Sequence, residues 1–242
     1  DLVKTLPANN NLDAIQFQGA YYLAFRTAPT HFASEKAKMY IIRSNDNEQW
    51  YLEDSIVLHA DLRECRFFEL NGSLYMLFFK AGTKWYEFDP QEVYVGKRTA
   101  DKNWNWKKIK NLDGYVPWRV RLRKDTAYLS AYYGKGLYTS SLPGDLRLFY
   151  STNGTDWLPI SEEPQVSLPN AEEGAFIFDK EGNIWANIRM EGTGSAVAFA
   201  RSGAYDKWEV QTSDYKYDSS ILFECDNEIY MISRRNLDGK FN

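Results

Sequence analysis

Gly19-Ala-Tyr-Tyr22-Leu-Ala-Phe-Arg26 is a turn residue followed by a short apolar strand, and the arrangement returns four more times along the chain. The later copies are Gly72-Ser-Leu-Tyr75-Met-Leu-Phe-Phe79, Asp125-Thr-Ala-Tyr128-Leu-Ser-Ala-Tyr132, Gly182-Asn-Ile-Trp185-Ala-Asn-Ile-Arg189 and Asp226-Asn-Glu-Ile-Tyr230-Met-Ile-Ser-Arg234. Their marker aromatics lie 53, 53, 57 and 45 residues apart. An interval of this length is the signature of small sheets repeated in series. A second marker falls between them, where a polar turn closes on tryptophan: Ser44-Asn-Asp-Asn-Glu-Gln-Trp50, Arg98-Thr-Ala-Asp-Lys-Asn-Trp104 (with Trp106 beyond), Ser151-Thr-Asn-Gly-Thr-Asp-Trp157 and Arg201-Ser-Gly-Ala-Tyr-Asp-Lys-Trp208.

Composition agrees with an all-β chain, since 16% aromatic residues suit pleated, half-buried surfaces and no segment sustains a helical period. The repeats run through the 242 residues without a Pro/Ser-rich or charged linker, so residues 1–242 are expected to form a single domain. The expected architecture is a five-bladed β-propeller of mostly four-stranded antiparallel blades. Repeat 5 reaches no further Trp-closed turn, so its blade is expected to be incomplete or closed by a strand from Leu2-Val-Lys-Thr-Leu6.

A net charge of -4 gives no electrostatic case for nucleic acid or an anionic membrane surface. No apolar run is long enough to span a bilayer, which points to a soluble chain. Cys65 and Cys225 sit at unlike places in different repeats and are expected to be separate thiols. With only His31 and His59 besides, neither a metal nor another cofactor is expected. Secreted and cytoplasmic placement, and the oligomeric state, are left open.

Successive strands of a blade run up and down. The start of each first strand and the end of each second strand therefore meet at one rim, and the Trp-closed turns fall at the other. The charged rim receives Asp13, Asp61-Leu-Arg63-Glu64, Trp118-Arg119-Val-Arg121, Glu172-Glu173 and Asp218 from first strands. Second strands add Arg26 with its loop to His31, Lys80, Tyr132-Tyr133, Arg189-Met-Glu191 and Arg234-Arg235-Asn236. Four residues after each marker stand Arg26, Phe79, Tyr132, Arg189 and Arg234. In a closed ring of five, the three arginines are neighbours, and their planar forks suit the carboxylate of an acidic ligand. The alternative is that they tie the blades together through carbonyls or through Glu172, Glu173 and Glu191.

Ser44-x-Asp46-x-x-x-Trp50 and Ser151-x-Asn153-Gly154-x-x-Trp157 resemble the Asp box of the sialidase-like propellers that carry bacterial neuraminidase repeats, and the strand ending Ala-Phe-Arg26 resembles their ligand-binding strands. The resemblance implies a glycoside hydrolase binding an acidic sugar. Arg26, Arg189 and Arg234 would form the carboxylate-holding triad, Tyr132 or Tyr133 with Glu172 or Glu173 the nucleophile pair, and Asp61 the acid/base. The rim reading itself, apart from the resemblance, adds His31, Arg63, Trp118, Arg119 and Glu191 as candidate sugar-binding residues. Two differences stand out: the family has six blades against five repeats here, and these boxes are one residue shorter.

Cleavage of a glycosidic bond requires in general only two suitably placed carboxyl groups, one protonated and one ionised. Asp13, Asp61 or Glu64, and Glu172 or Glu173 offer such groups, a pattern that resembles the five-bladed arabinanase-type hydrolases. A third reading is a non-catalytic propeller that binds glycan or protein through Trp118, Tyr132, Tyr133 and Trp104 or Trp106, with packing between blades the stronger expectation for the last two.

Overall fold

A computed structural model describes residues 2–135, 137–138, 142–192 and 194–235, and Asn236 of the expected rim lies outside them. Their regular structure is strand throughout, apart from one 3-10 turn at Lys110–Leu112. Two compact units emerge: Asp1–Pro117 with Ser151–Trp157, and Trp118–Tyr150 with the residues from Leu158.

The first unit is built on two sheets of four antiparallel strands. One runs β1 (Ala8–Phe17), β2 (Ala20–Ala28), β3 (Lys38–Ser44), β4 (Trp50–Ile56), and the other β5 (Asp61–Leu70), β6 (Ser73–Ala81), β7 (Pro90–Arg98), β8 (Trp104–Ile109). The turn residues that precede the marker strands are tight hairpins. Gln18-Gly19 and Asn71-Gly72 hold positive φ at both positions, the backbone twist that matches antiparallel strands and fixes their register. Between the sheets lies one core containing Phe17, Tyr22, Met39, Ile41, Leu62, Phe67, Met76, Phe78 and Trp104. Trp106 stacks on Trp104 and meets Phe78 edge-on. Leu2–Leu6 carries no strand; Leu6 N donates to Thr27 Oγ1 at 2.6 Å and Lys4 O accepts from the Tyr40 hydroxyl at 2.9 Å. The segment expected to supply an outer strand is thus held by polar contacts to β2 and β3.

The Trp-closed turns are hydrogen-bonded on themselves. Asp46 Oδ1 accepts from the backbone N–H groups of Glu48 and Gln49 at 2.9 and 2.8 Å, and those bonds hold its carboxyl below the ordinary range. Asn153 Oδ1 accepts likewise from Thr155 and Asp156, both at 2.9 Å. The tryptophan that follows this turn, Trp157, is buried edge-on against Phe68, with ring centroids 5.6 Å apart. Gly154 at φ +80° lies under the Tyr75 ring, where an added Cβ would stand 2.6 Å from the ring carbons.

The second unit holds three sheets. The first contains β9 (Val116–Arg123), β10 (Thr126–Gly134), β11 (Pro143–Ser151) and β12 (Leu158–Pro159), with β13 (Val166–Pro169) also pairing β11. The next runs β14 (Ala171–Phe178), β15 (Ile184–Met190), β16 (Gly194–Ala200), β17 (Glu209–Ser213); the last pairs β18 (Tyr217–Cys225) with β19 (Glu228–Arg235). Arginines bind the sheets together through carbonyls: Arg121 donates to Phe176 O at 3.1 Å and Leu222 O at 2.9 Å, and Arg119 to Ser220 O at 3.4 Å.

A feature absent from the sequence reading recurs in four first strands. β1, β5, β14 and β18 each slip register at one point, and each carries there a non-glycine residue at positive φ: Asn11 (50°), Glu64 (53°), Glu173 (43°) and Ser219 (50°). These are β-bulges, in which two residues oppose one on the partner strand. The corresponding place in β9 is Pro117, whose ring holds φ negative.

Gly154→Ala is expected to destabilise the fold by about 2–4 kcal/mol, since it combines a strained φ with a clash against a buried ring. Gly203→Ala shares the positive φ but has nothing within 4 Å, and should cost about 1 kcal/mol. The midpoints of urea unfolding compare them directly.

Candidate functional site

The bulges decide which side chains meet. Just before each bulge stand Asn10, Arg63, Glu172 and Asp218, and across the ladder from them are Arg26, Phe79, Arg189 and Arg234. The position four residues after the marker therefore has a single structural meaning in these four sheets. Asp13 lies past its bulge opposite Ala24, where its Oδ2 accepts from Phe67 N at 2.7 Å, and Asn10 stands at the strand start in its place.

In the first unit the chemistry centres on Asp61, which is fully buried. Arg26 donates to its Oδ1 from Nε at 3.1 Å and from Nη2 at 2.6 Å, and Arg63 Nε donates to its Oδ2 at 2.5 Å. The remaining Arg26 donors reach Asn10 Oδ1, Thr30 O and Phe32 O. Both carboxylate oxygens and the whole Arg26 guanidinium are thereby committed to the protein, as in the blade-tying alternative. Arg63 also holds the His31 carbonyl at 2.7 Å. Burial, with the charges of Arg63 and Arg26, pushes the His31 ring below its ordinary pKa. Asn10 Nδ2 lies 2.8 Å from His31 Nδ1, an arrangement that suits a neutral ring protonated on Nε2.

In the second unit the bulge of β14 buries two successive carboxyl groups. Glu173 is fully engaged: Oε1 accepts from Arg189 Nη1 at 2.5 Å, and Oε2 from the N–H and hydroxyl of Ser219 at 3.0 and 3.2 Å. Arg189 also donates to Glu191 and ion-pairs with Asp218 Oδ1 at 3.0 Å. Asp218 in turn takes Arg234 at 3.4 Å, and Lys216 holds Glu191 at 3.0 Å. Glu172 differs from all of these. It is 1% exposed, its Oε1 accepts only from Tyr138 N at 2.7 Å, and its Oε2 has no hydrogen-bond partner among the described residues. Burial lifts its carboxyl from the ordinary 4.5 to about 8, against the pull of the Tyr138 N–H and Arg189. It is neutral at pH 7. Burial also works against the charge of Glu191, yet Arg189 and Lys216 outweigh it and hold that carboxyl below its ordinary range.

Tyr132 is buried with its hydroxyl 2.5 Å from that of Tyr138, which lies 3.4 Å from Glu173 Oε1. Trp118 meets Tyr132 edge-on at 6.2 Å. The residues chosen from sequence thus fall into two groups: Arg26, His31, Asp61 and Arg63 in one unit, and Trp118, Arg119, Tyr132, Glu172, Glu173, Arg189, Glu191 and Arg234 in the other. Sequence reasoning missed Tyr138 and Lys216, which sit in loops without a repeat register. It placed Asp218 on the rim without a role. Among the described residues no group of three His, Cys, Asp or Glu side chains is placed to hold a metal ion, and no helix is long and apolar enough to cross a membrane.

No protein-family model matches the chain, and no curated protein matches its sequence. Solved structures do match. A protein of unknown function from Dyadobacter fermentans aligns with a TM-score of 0.67 at 13% identity, over 92% of this chain and 74% of that one. The Penicillium chrysogenum alpha-L-arabinanase complexed with arabinobiose aligns with a TM-score of 0.63 at 12% identity, again over 92% and 74%. The Trypanosoma rangeli sialidase in complex with sialic acid aligns with a TM-score of 0.62 at 9% identity, over 97% of this chain and 53% of the sialidase. Both enzymes are glycoside hydrolases of propeller fold, and at these identities the likeness is one of fold.

Glu172 carries a consequence for stability. Between pH 4.5 and about 8 the unfolded chain has released a proton that the folded chain keeps, so Glu172 makes stability fall as pH rises through that window. The contribution is at most about 1.4 kcal/mol per pH unit. Glu172→Gln should remove this slope and leave the protein more stable at pH 7.5 than the parent; chemical denaturation at pH 5, 6, 7 and 8 measures it.

Proposed function

We propose that this chain is a glycan-acting propeller with five blades in a single domain, working as a carboxylate-dependent glycoside hydrolase. The observation that carries the reading is Glu172: a carboxyl neutral at pH 7, buried, with one oxygen lacking a partner among the described residues. Its neighbour Glu191 is pushed the other way. Two carboxyl groups whose environments drive their pKa values apart are what acid/base cleavage of an acetal requires. Glu172 gives its proton to the glycosidic oxygen as the bond to the anomeric carbon breaks. The ionised carboxylate stabilises the positive charge that develops there or activates the water that ends the reaction.

This assignment favours a neutral sugar over an acidic one. Arg26, Arg189 and Arg234 each have a carboxylate partner, so a substrate carboxylate would have to displace Asp61, Glu173 or Asp218. Asp61, with a guanidinium on each oxygen, is better suited to orienting Arg26 and Arg63 than to moving protons. A sialidase-like reading is favoured by one specific observation, the chain of hydroxyls from Tyr132 through Tyr138 to Glu173, which offers a tyrosine nucleophile and its base.

Chromogenic arabinosides, galactosides and sialosides separate these readings. Glu172→Gln is expected to lower kcat by about 10²–10⁴ and to remove an alkaline limb near pH 8 from the rate profile. Aryl glycosides with acidic leaving groups should lose least, because they need little protonation. Cleavage of sialosides alone, lost in Tyr132→Phe and kept in Glu172→Gln, would select the tyrosine reading. Turnover equal to the parent in both variants would remove both assignments.

A further inference from the structure

The loop joining β6 to β7 displays the two most exposed large aromatics of the described chain, Trp85 at 67% and Tyr86 at 66%. They meet edge-on with ring centroids 5.7 Å apart, and Phe32, itself exposed, meets Trp85 at 6.2 Å. Such exposure is unfavourable for apolar rings unless something covers them. The loop beneath is closed by a set of bonds: Gly82 N donates to Asp89 O at 2.9 Å, Glu87 N to Lys84 O at 3.0 Å, and Lys84 Nζ to Glu87 Oε2 at 3.0 Å. Gly82 permits the tight closure, since a Cβ there would stand 2.6 Å from Asp89 Oδ2. The rings are thus carried on a braced turn.

Lys84 and Glu87, on either side of Trp85-Tyr86, line a cavity of about 310 Å³ together with His59, Lys80, Asp89 and Gln91. Its size lies at the lower end of small-molecule sites. Its lining mixes donors and acceptors with the charges paired: Lys80 with Glu92, Lys84 with Glu87, and Gln91 Nε2 donating to Asp89 Oδ2 at 2.7 Å. An anion would find both lysines occupied and two carboxylates in its way. A molecule with many hydroxyls and an apolar ring face would find hydrogen-bond partners in the cavity and two exposed aromatic rings on the same loop, between the lining residues Lys84 and Glu87. We infer that Trp85, Tyr86 and this cavity form a second carbohydrate site, one that binds a neutral oligosaccharide by stacking its sugar rings on the 82–89 loop. The choice of ligand class rests on the glycan-acting reading above; the placement does not involve Glu172.

Calorimetric titration of arabinobiose, galactobiose and cellobiose, with sialyllactose as the acidic comparison, tests the site in the intact chain. At least one neutral disaccharide should bind the parent, and bind Trp85→Ala and Tyr86→Ala roughly tenfold more weakly. The same disaccharide should protect Trp85 from oxidation by N-bromosuccinimide, read by peptide mass spectrometry, which needs no variant. Unchanged affinity in both loop variants, absence of any neutral binding, or binding of sialyllactose alone would each overturn the site. Hydrolysis that persists while the loop variants bind normally removes this site and leaves the hydrolase reading standing. Loop-dependent binding by a protein without turnover does the reverse.

Discussion

One added residue at positive φ in a first strand is the constraint on which the charged clusters depend. A regular strand sends successive side chains to opposite faces, so Glu172 and Glu173 would be divided between two surfaces. The bulge lets both be buried opposite Arg189, and the equivalent bulges set Asn10 against Arg26 and Asp218 against Arg234. A positive φ at Glu64 or Glu173 is unfavourable for a residue bearing a Cβ, and it persists because the ladder on either side and the ion pairs at the bulge determine it. In Glu173 the bonds from Arg189 and Ser219 fix the side chain while the strand fixes the backbone.

The strand repeats were legible because they rest on short-range physics. Asn71-Gly72 forms a tight turn from its own backbone preferences, Gly19 supplies the same for the Gln18-Gly19 turn, and the apolar residues after Tyr22 and Tyr75 need a covered face. The equal register of Arg26, Arg189 and Arg234 was legible for the same reason, since position within a repeat becomes position on a ladder. The bulges were not legible. Glu64, Glu173 and Ser219 have no residue-type preference for positive φ, and Asn11 alone would have hinted at it. Without them Asp13 looks like a strand start, though it lies beyond the bulge.

The pairing of charges was legible only as one of two alternatives. Three arginines at one register invite a ligand carboxylate, and the fold supplies Asp61, Glu173, Glu191 and Asp218 instead. Glu172 and Glu173 are neighbours in sequence and alike in chemistry. One is tied to a guanidinium and the other to a single backbone N–H, which separates a structural anion from a neutral acid. Sequence named both residues and could not say which was which, because the difference lies in the partners that β15, β18 and the loop at Tyr138 bring to them.

The Asp61 pair of arginines is shut away from dissolved ions, whereas Lys107 and Asp156 meet with more than half of each side chain in water. Mobile electrolyte weakens contacts of the second kind and hardly reaches the first. Concentrated salt should therefore loosen the Lys107–Asp156 contact while the anchoring of Arg26 on Asp61 goes on undisturbed.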